Sequence, residues 1–308
     1  MFNQYFGNYL LEKNLIKPEE LRVVLTEQQS VKVKLGILAI DAGYMTATQV
    51  DKIHHFQMVK DQKFGELAIG EGYLTENQLN ELLQAQKKSN VLLGQVLIEK
   101  GFFSFEKYEA VLLQYRQDSQ LTNDEIQALK NNDISQIAAI FLKPLSGQYN
   151  KILREYFELF LRNIVRFIDD EIRMEAAVMV DSYQYEYLVT QGTKGEYCFF
   201  SGIAAAETVL ARFASIYAEE TLDGMNALAK DSLGEFMNCH NGLFLSQLAH
   251  QGIELDLLVT EVKTAGIANA VGKLYVIPCH LSFGKIDFIF ADVTPVFSEK
   301  EAENKERI

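Results

Sequence analysis

Asp231-Ser-Leu-Gly-Glu-Phe-Met-Asn-Cys-His-Asn-Gly-Leu-Phe-Leu-Ser-Gln-Leu-Ala-His250 is the stretch whose reading decides the fold of this 308-residue chain. Leu233, Phe236, Met237, Phe244, Leu245 and Leu248 recur at helical spacing and predict one apolar face. Glu235 and Asn238 stand three residues apart, so a helix makes them neighbours. With Phe236 and Met237 turned inward, the acid and the amide face outward together. Two polar groups side by side on a rigid helix can reach jointly into another molecule. The spacing alone is not specific, since Glu301 and Asn304 repeat it inside a charged tail.

The segments around this helix predict an α+β domain over residues 151–297. Lys151 to Arg173 carries a broad apolar stripe (Ile152, Tyr156, Leu159, Phe160, Ile164, Phe167, Ile168) and reads as a helix. Ala176–Val180, Glu186–Thr190 and Gly195–Gly202 are short and rich in strand formers. Ile203 to Tyr217 reads as a second helix. Leu255–Glu261, Leu274–His280 and Lys285–Phe290 read as the last strands. Helix, strands, two helices and strands in that order predict helices on one face of a mostly antiparallel sheet.

Upstream, the first third of the chain repeats itself. Phe6-Gly7, Leu35-Gly36, Phe64-Gly65 and Leu93-Gly94 fall 29 residues apart. Asn14, Gly43, Gly72 and Gly101 follow in phase and suit a left-handed residue ending a helix. Gln28, Gln57, Gln86 and Tyr115 hold a third phase. Thr46-x-x-Gln49 and Thr75-x-x-Gln78 read as capping boxes, and Pro18 suits a first helical turn. Four helical units over residues 1–118 are predicted. Residues 119–150 read as a helical linker, with capping box Thr122-x-x-Glu125, a helix to about Phe141, and breaks at Pro144 and Gly147. Residues 298–308 form a charged tail, expected to be disordered or a frayed helix.

Composition excludes several classes. A net charge of −13 disfavours nucleic acid and acidic membranes. No run of eighteen apolar residues exists to span a membrane, and the first residues lack the pattern of a signal peptide. Cys198, Cys239 and Cys279 are far apart and are expected as buried free thiols in a reducing compartment, the cytoplasm. No histidine spacing suggests a metal, and His54 and His55 diverge on a helix. Cys239 and His240 point about 100° apart, which rules against a nucleophile–base pair. Asn241 is expected on the same face as Asn238.

The C-terminal residues resemble the CheX/CheC chemotaxis phosphatases. Asp231-x-x-x-Glu235-x-x-Asn238 matches their signature, and Gly242 falls where their helix carries a small residue. Glu196-Tyr-Cys-Phe-Phe-Ser-Gly202 looks like their strand before the first core helix, and Leu274-Tyr-Val-Ile-Pro278 like a late strand. The earlier helix offers Glu207-Thr-Val-Leu210 with no amide, so the chain is similar to the single-site CheX type. The resemblance implies a CheX-like α/β sandwich and a hydrolase acting in two-component signalling. Its substrate would be the aspartyl phosphate of a phosphorylated CheY-like response regulator. Asn238 would orient the attacking water and Glu235 would accept the regulator's lysine. The divalent metal would sit on the partner receiver domain, with no cofactor on this chain. A homodimer is also implied.

The repeats resemble the MshEN-type N-terminal domains of type II secretion ATPases. Lys34-Leu35-Gly36…Gly43…Gln57 and Lys63-Phe64-Gly65…Gly72…Gln86 are the best copies. Some members of that family bind cyclic di-GMP, which makes Lys34, Leu35, Gly36, Gln57, Lys63, Phe64, Gly65 and Gln86 candidate ligand-binding residues. The family's Arg is Lys in copies two and three, Tyr5 in the first and Leu92 in the fourth, and Lys lacks the planar fork of Arg. Two readings follow. One is a response-regulator phosphatase tuned by cyclic di-GMP or a protein partner at the N-terminal module. The other is a non-catalytic signalling adaptor or cyclic di-GMP-binding protein.

Overall fold

The computed structural model describes residues 2–27, 34–59, 62–88, 93–143, 150–195 and 198–299; the side chains at 58, 59, 86–88 and 150 also lie outside the described set. Two compact units divide between Ile126 and Gln127.

The first unit contains eight helices among its described residues: α1 (Phe2–Glu12), α2 (Pro18–Glu27), α3 (Leu35–Asp41), α4 (Ala47–Val59), α5 (Phe64–Gly70), α6 (Glu76–Lys88), α7 (Leu93–Glu99) and α8 (Phe105–Asp118). Asn14, Gly43, Gly72 and Gly101 all take positive φ, between 54° and 74°. There the backbone turns back, and a β-carbon is disfavoured. Thr46 and Gln49 cap α4 reciprocally at 2.8 and 3.3 Å, and Thr75 with Gln78 caps α6 at 2.9 and 3.2 Å.

The other glycine of each repeat has a packing role. A β-carbon on Gly36 would sit 2.7 Å from Val50, on Gly65 2.6 Å from Leu79, and on Gly94 2.3 Å from the Tyr108 ring. Gly7 faces Leu21 at 3.4 Å. Each neighbour lies fourteen residues downstream, on the second helix of its own repeat. The glycine is the place where the two helices of one repeat cross closely.

The connecting segment is two helices rather than one: α9 (Asn123–Asn131) and α10 (Ile134–Phe141). The break falls at Asn132, with φ 53°, and Asp133 caps α10 by accepting from the Gln136 amide at 3.1 Å. Pro144 and Gly147 lie outside the described residues. In the second unit α10 packs on α11 (Asn150–Phe167), and the Phe141 carbonyl accepts from the Ala177 amide at 2.9 Å.

Among the described residues seven strands and two further helices follow: β1 (Arg173–Met174), β2 (Val178–Gly195), β3 (Phe200–Ala205), α12 (Glu207–Tyr217), α13 (Ala227–His250), β4 (Leu255–Leu257), β5 (Glu261–Leu281), β6 (Gly284–Ala291) and β7 (Val296–Glu299). Three sequence expectations are corrected. Ile203 belongs to β3, where it pairs with Val189 on one side and Phe288 on the other, so the helix starts at Glu207. The segment after Val296 is not loose throughout: Val296–Glu299 pairs with Gly266–Asn269 as an edge strand. Leu255–Glu261 is broken, since β4 stops at Leu257 and β5 starts at Glu261.

The sheet is antiparallel at every pairing, in the order β1-β5-β6-β3-β2-β4. The long β2 and β5 also pair with each other, Val178 with Val276 and Thr190 with Glu261 at the two ends. That extra ladder closes β5-β6-β3-β2 on itself. Strand alternation sends Leu188, Phe200, Ala204, Leu274 and Ile289 into one buried cluster, which Tyr185 joins from farther along β2. The opposite parity, with Val189, Ser201, Ile203, Phe288 and Phe290, meets the helices. There Phe288 lies 4.5 Å from Phe160 and 5.2 Å from Phe157, ring centre to ring centre, and Tyr156 lies 4.9 Å from Phe244. Each buried aromatic contributes about 2–3 kcal/mol.

Candidate functional site

Helix α13 presents the site. Asn226 caps it by accepting from the Ala229 amide at 2.9 Å, and Gly252, at φ 82°, follows its end. Leu233, Phe236, Met237, Phe244 and Leu248 are buried, while Asp231, Glu235 and Asn238 are exposed. The acid and the amide therefore stand together on the outward face of a helix whose other sides are packed. Beside them, Gly234 faces Thr260, and the same loop carries the exposed Leu258 and Val259. Polar groups beside exposed apolar ones suit a protein partner.

Asn238 is tied down at one end. Its Oδ1 accepts from Gln191 Nε2 at 3.1 Å, and the same Nε2 donates to the Leu258 carbonyl at 2.8 Å. Glu235 has a neighbour on its own helix: the Cys239 thiol donates to Glu235 Oε1 at 3.2 Å. Burial first, then the hydrogen bond to Glu235, raises the Cys239 thiol, so it stays protonated near neutrality. Tyr217 from α12 hydrogen-bonds to Cys239, and its hydroxyl is pushed up to about 12 by burial and then by that contact.

The inward side of α13 carries two polar residues. Asn241 is fully buried, so it does not share the outward face with Asn238. Its Nδ2 donates to Gln191 Oε1 at 2.7 Å, and its Oδ1 accepts from the Tyr156 hydroxyl. His240 is 1% exposed, meets Asn163 through Nδ1 at 3.0 Å, and stacks among Tyr156, Phe160 and Phe236. Burial lowers it to about 3, so the ring is neutral. The cysteine expectation needs correction: Cys279 is buried, but Cys198 and Cys239 are exposed.

Gln191 is the functional candidate that sequence reasoning missed. A glutamine inside the run Leu188–Thr193, all of it buried, was the available signal. Glu196 and Tyr197, part of the family-like strand, lie outside the described residues.

In the first unit the candidate ligand residues serve local structure. Lys34 caps α3, its amide donates to Gln95 Oε1 at 2.6 Å, and its ammonium pairs with Glu99 at 2.8 Å. Lys63 caps α5, with its amide donating to Glu66 at 3.3 Å. Gly36 and Gly65 are buried at helix crossings, Leu35 is half-buried and Phe64 is buried. Gln57 is exposed and donates to the Gln62 carbonyl at 3.4 Å. Gln86 lies in α6 with its side chain outside the described set. Phe64 stands within reach of Gly36, so the second and third copies touch.

A groove of 460 Å³ opens between α11, α12 and α13, lined by Phe167, Tyr217, Phe236, Cys239, His240 and Leu243 among others. Neither Glu235 nor Asn238 lines it, so it is separate from the outward pair. Among the described residues no group of three or more His, Cys, Asp or Glu side chains is placed to hold a metal, and no helix is long and apolar enough to cross a membrane.

No described protein family and no curated protein matches the chain. Solved structures do. The chemotaxis protein CheX from Desulfovibrio desulfuricans is 11% identical, with 46% of this chain and 98% of that chain covered and a TM-score of 0.41. CheX from Vibrio vulnificus is 17% identical over 47% of this chain and 99% of that one, at 0.38. A chain of the CheX–CheY–BeF3–Mg complex from Borrelia burgdorferi is 16% identical over 48% of this chain and 97% of that one, also at 0.38. Each of these matches covers just under half of this chain.

Proposed function

We propose that the second unit is a phosphatase for the aspartyl phosphate of a CheY-like receiver domain, with Asn238 and Glu235 as its catalytic pair. The observation that carries this reading is the outward pair itself. An acid and a tethered amide, three residues apart, are exposed on a helix packed on its other sides. The resemblance of Asp231-x-x-x-Glu235-x-x-Asn238, between its strands, to the CheX/CheC signature supports the substrate class.

The chemistry asked of such a pair is small. A phosphorylated receiver brings its own divalent metal and lysine to the phosphoryl group. What remains is to place a water in line with phosphorus and to seat the two proteins together. Asn238, whose carboxamide both donates and accepts, would hold that water. Glu235 would accept the receiver's lysine, and the exposed Leu258 and Val259 would pack against the partner.

The test is the decay of phosphoryl label from a panel of receiver domains. The wild-type chain should accelerate decay, and Asn238→Ala should lose about 10²-fold or more of that acceleration. Glu235→Ala should weaken binding as well as rate. An adaptor would bind the phosphorylated receiver without changing its decay, and that result would replace this proposal.

A further inference from the structure

The geometry points to Gln191 as a positioning residue that fixes which end of the Asn238 carboxamide faces the partner. This inference rests on the reading that Asn238 acts on a receiver's phosphoryl group.

Gln191 sits on β2 and is 2% exposed. Its side-chain hydrogen bonds go to α13 and to the loop beside the site. Carboxamide oxygen and nitrogen are alike in shape, so their assignment must come from a partner with one possible role. The Leu258 carbonyl is that partner. It can only accept, so the end of Gln191 lying 2.8 Å from it is the NH2. Oε1 of Gln191 then faces Asn241, which must donate through Nδ2, at 2.7 Å. Asn241 in turn shows its oxygen to the Tyr156 hydroxyl, the next link in the chain. Ser201 Oγ, within 3.4 Å of Asn241 Nδ2, adds a further contact to the same group.

The same NH2 of Gln191 faces Asn238 at 3.1 Å. Asn238 must therefore turn its oxygen inward and its Nδ2 outward. One backbone carbonyl thus sets the polarity of four side chains, ending at the exposed amide. A reversed Asn238 would set NH2 against NH2, losing a hydrogen bond inside a water-poor site. The outward group is a pair of N–H donors beside one remaining lone pair on oxygen. Donors suit phosphoryl oxygens, and the lone pair suits a proton of the attacking water.

Gln191→Glu tests this with no change of shape. In its ionised form the new carboxylate still accepts from Asn241 but cannot donate, so Asn238 has reason to turn its NH2 inward; raising the pH of the measurement secures that form. The variant is made in the full chain and read in two ways. The first is the side-chain NH2 pair of Asn238 by nitrogen-15 NMR, which needs no partner. The second is kcat and KM for receiver dephosphorylation. The expected result is a shifted Asn238 NH2 pair, with kcat down about tenfold and KM within twofold. A purely structural role would lower thermal stability and affect kcat and KM together without moving the Asn238 resonances selectively. Unchanged Asn238 resonances, or an unchanged kcat in a folded variant, would overturn the assignment. Gln191→Met keeps length without adding charge; it serves if Gln191→Glu does not fold, and should also lower kcat about tenfold by untethering the amide. If the wild-type chain accelerates no receiver, the phosphatase reading fails, and the NMR readout alone still decides whether Gln191 orients Asn238.

Discussion

The buried imidazole of His240 makes a quantitative demand on the acid stability of α13. The ring is 1% exposed, packed against Tyr156, Phe160 and Phe236, and its one hydrogen-bond partner among the described contacts is Asn163. Burial lowers it from 6.5 to about 3. In the unfolded chain the same group takes a proton near pH 6.5. Between those values the unfolded state binds one more proton, so stability falls as pH falls. One pKa unit corresponds to about 1.4 kcal/mol, so the whole window from 6.5 to 3 is worth about 5 kcal/mol, present above pH 6.5 and lost as pH drops toward 3. Hydrogen exchange of the α13 amides in the intact chain, corrected for intrinsic rates, reads the local opening free energy at each pH. His240→Phe keeps a ring and removes the titration. It leaves Asn163 without its partner, a cost of about 1–3 kcal/mol that does not vary with pH. Between pH 6 and 4 the wild type should lose about 1 kcal/mol per pH unit more than the variant. Parallel curves would refute the reasoning, because they would mean that His240 accepts its proton without opening the core.

Two further outcomes follow from close contacts. Gly94→Ala should destabilise α7 and α8 by about 1–3 kcal/mol, because the added methyl meets the buried Tyr108 ring, whereas Gly242→Ala, with nothing within 4 Å, should stabilise α13 by up to about 1 kcal/mol; thermal melts of the two variants should move in opposite directions. Binding of cyclic di-GMP through Lys34 would require the ammonium to leave Glu99, so Glu99→Gln should tighten that binding in isothermal titration; equal affinity for both proteins would remove Lys34 from any such site.

Much of the helical pattern was legible in the sequence because its signals are local. Thr46 with Gln49, Thr75 with Gln78, and Thr122 with Glu125 announce helix starts within four residues, and each pair bonds reciprocally. Asn14, Gly43, Gly72 and Gly101 announce the turns because positive φ strongly favours those residue types. The first-phase glycines were harder to read. Their reason lies fourteen residues away, at Val50, Leu79 and Tyr108, and no local rule links the two. The strands failed at their ends for the same cause. Ile203 looks helical beside Ala204 to Ala206, but two neighbouring strands hold it in the sheet. Val296–Glu299 looks like part of a charged tail until β5 supplies a ladder for it. The outward pair was legible because three-residue spacing and an apolar face sufficed. Its support was not, since Gln191 lies 47 positions from Asn238 along the chain.

Helix α13 carries the site and its anchorage on opposite sides of the same few turns. Glu235 and Asn238 face out, while Met237, His240, Asn241 and Phe244 face in. Rotating the helix enough to move Asn238 would pull Asn241 from Gln191 and Tyr156, and His240 from Asn163, leaving buried polar groups unpaired. Each such loss costs about 1–3 kcal/mol, so small excursions are resisted by several groups at once. In the role proposed for it, holding a water, Asn238 would need this more than a shifted pKa. Its contribution depends on being in place before the partner arrives, and ordering it afterwards would cost rate. The polar residues at 240 and 241, which interrupt an otherwise apolar inner face, are the ones that oppose that motion. That gives a physical reason for a helix core to hold a histidine and an asparagine where leucines would pack.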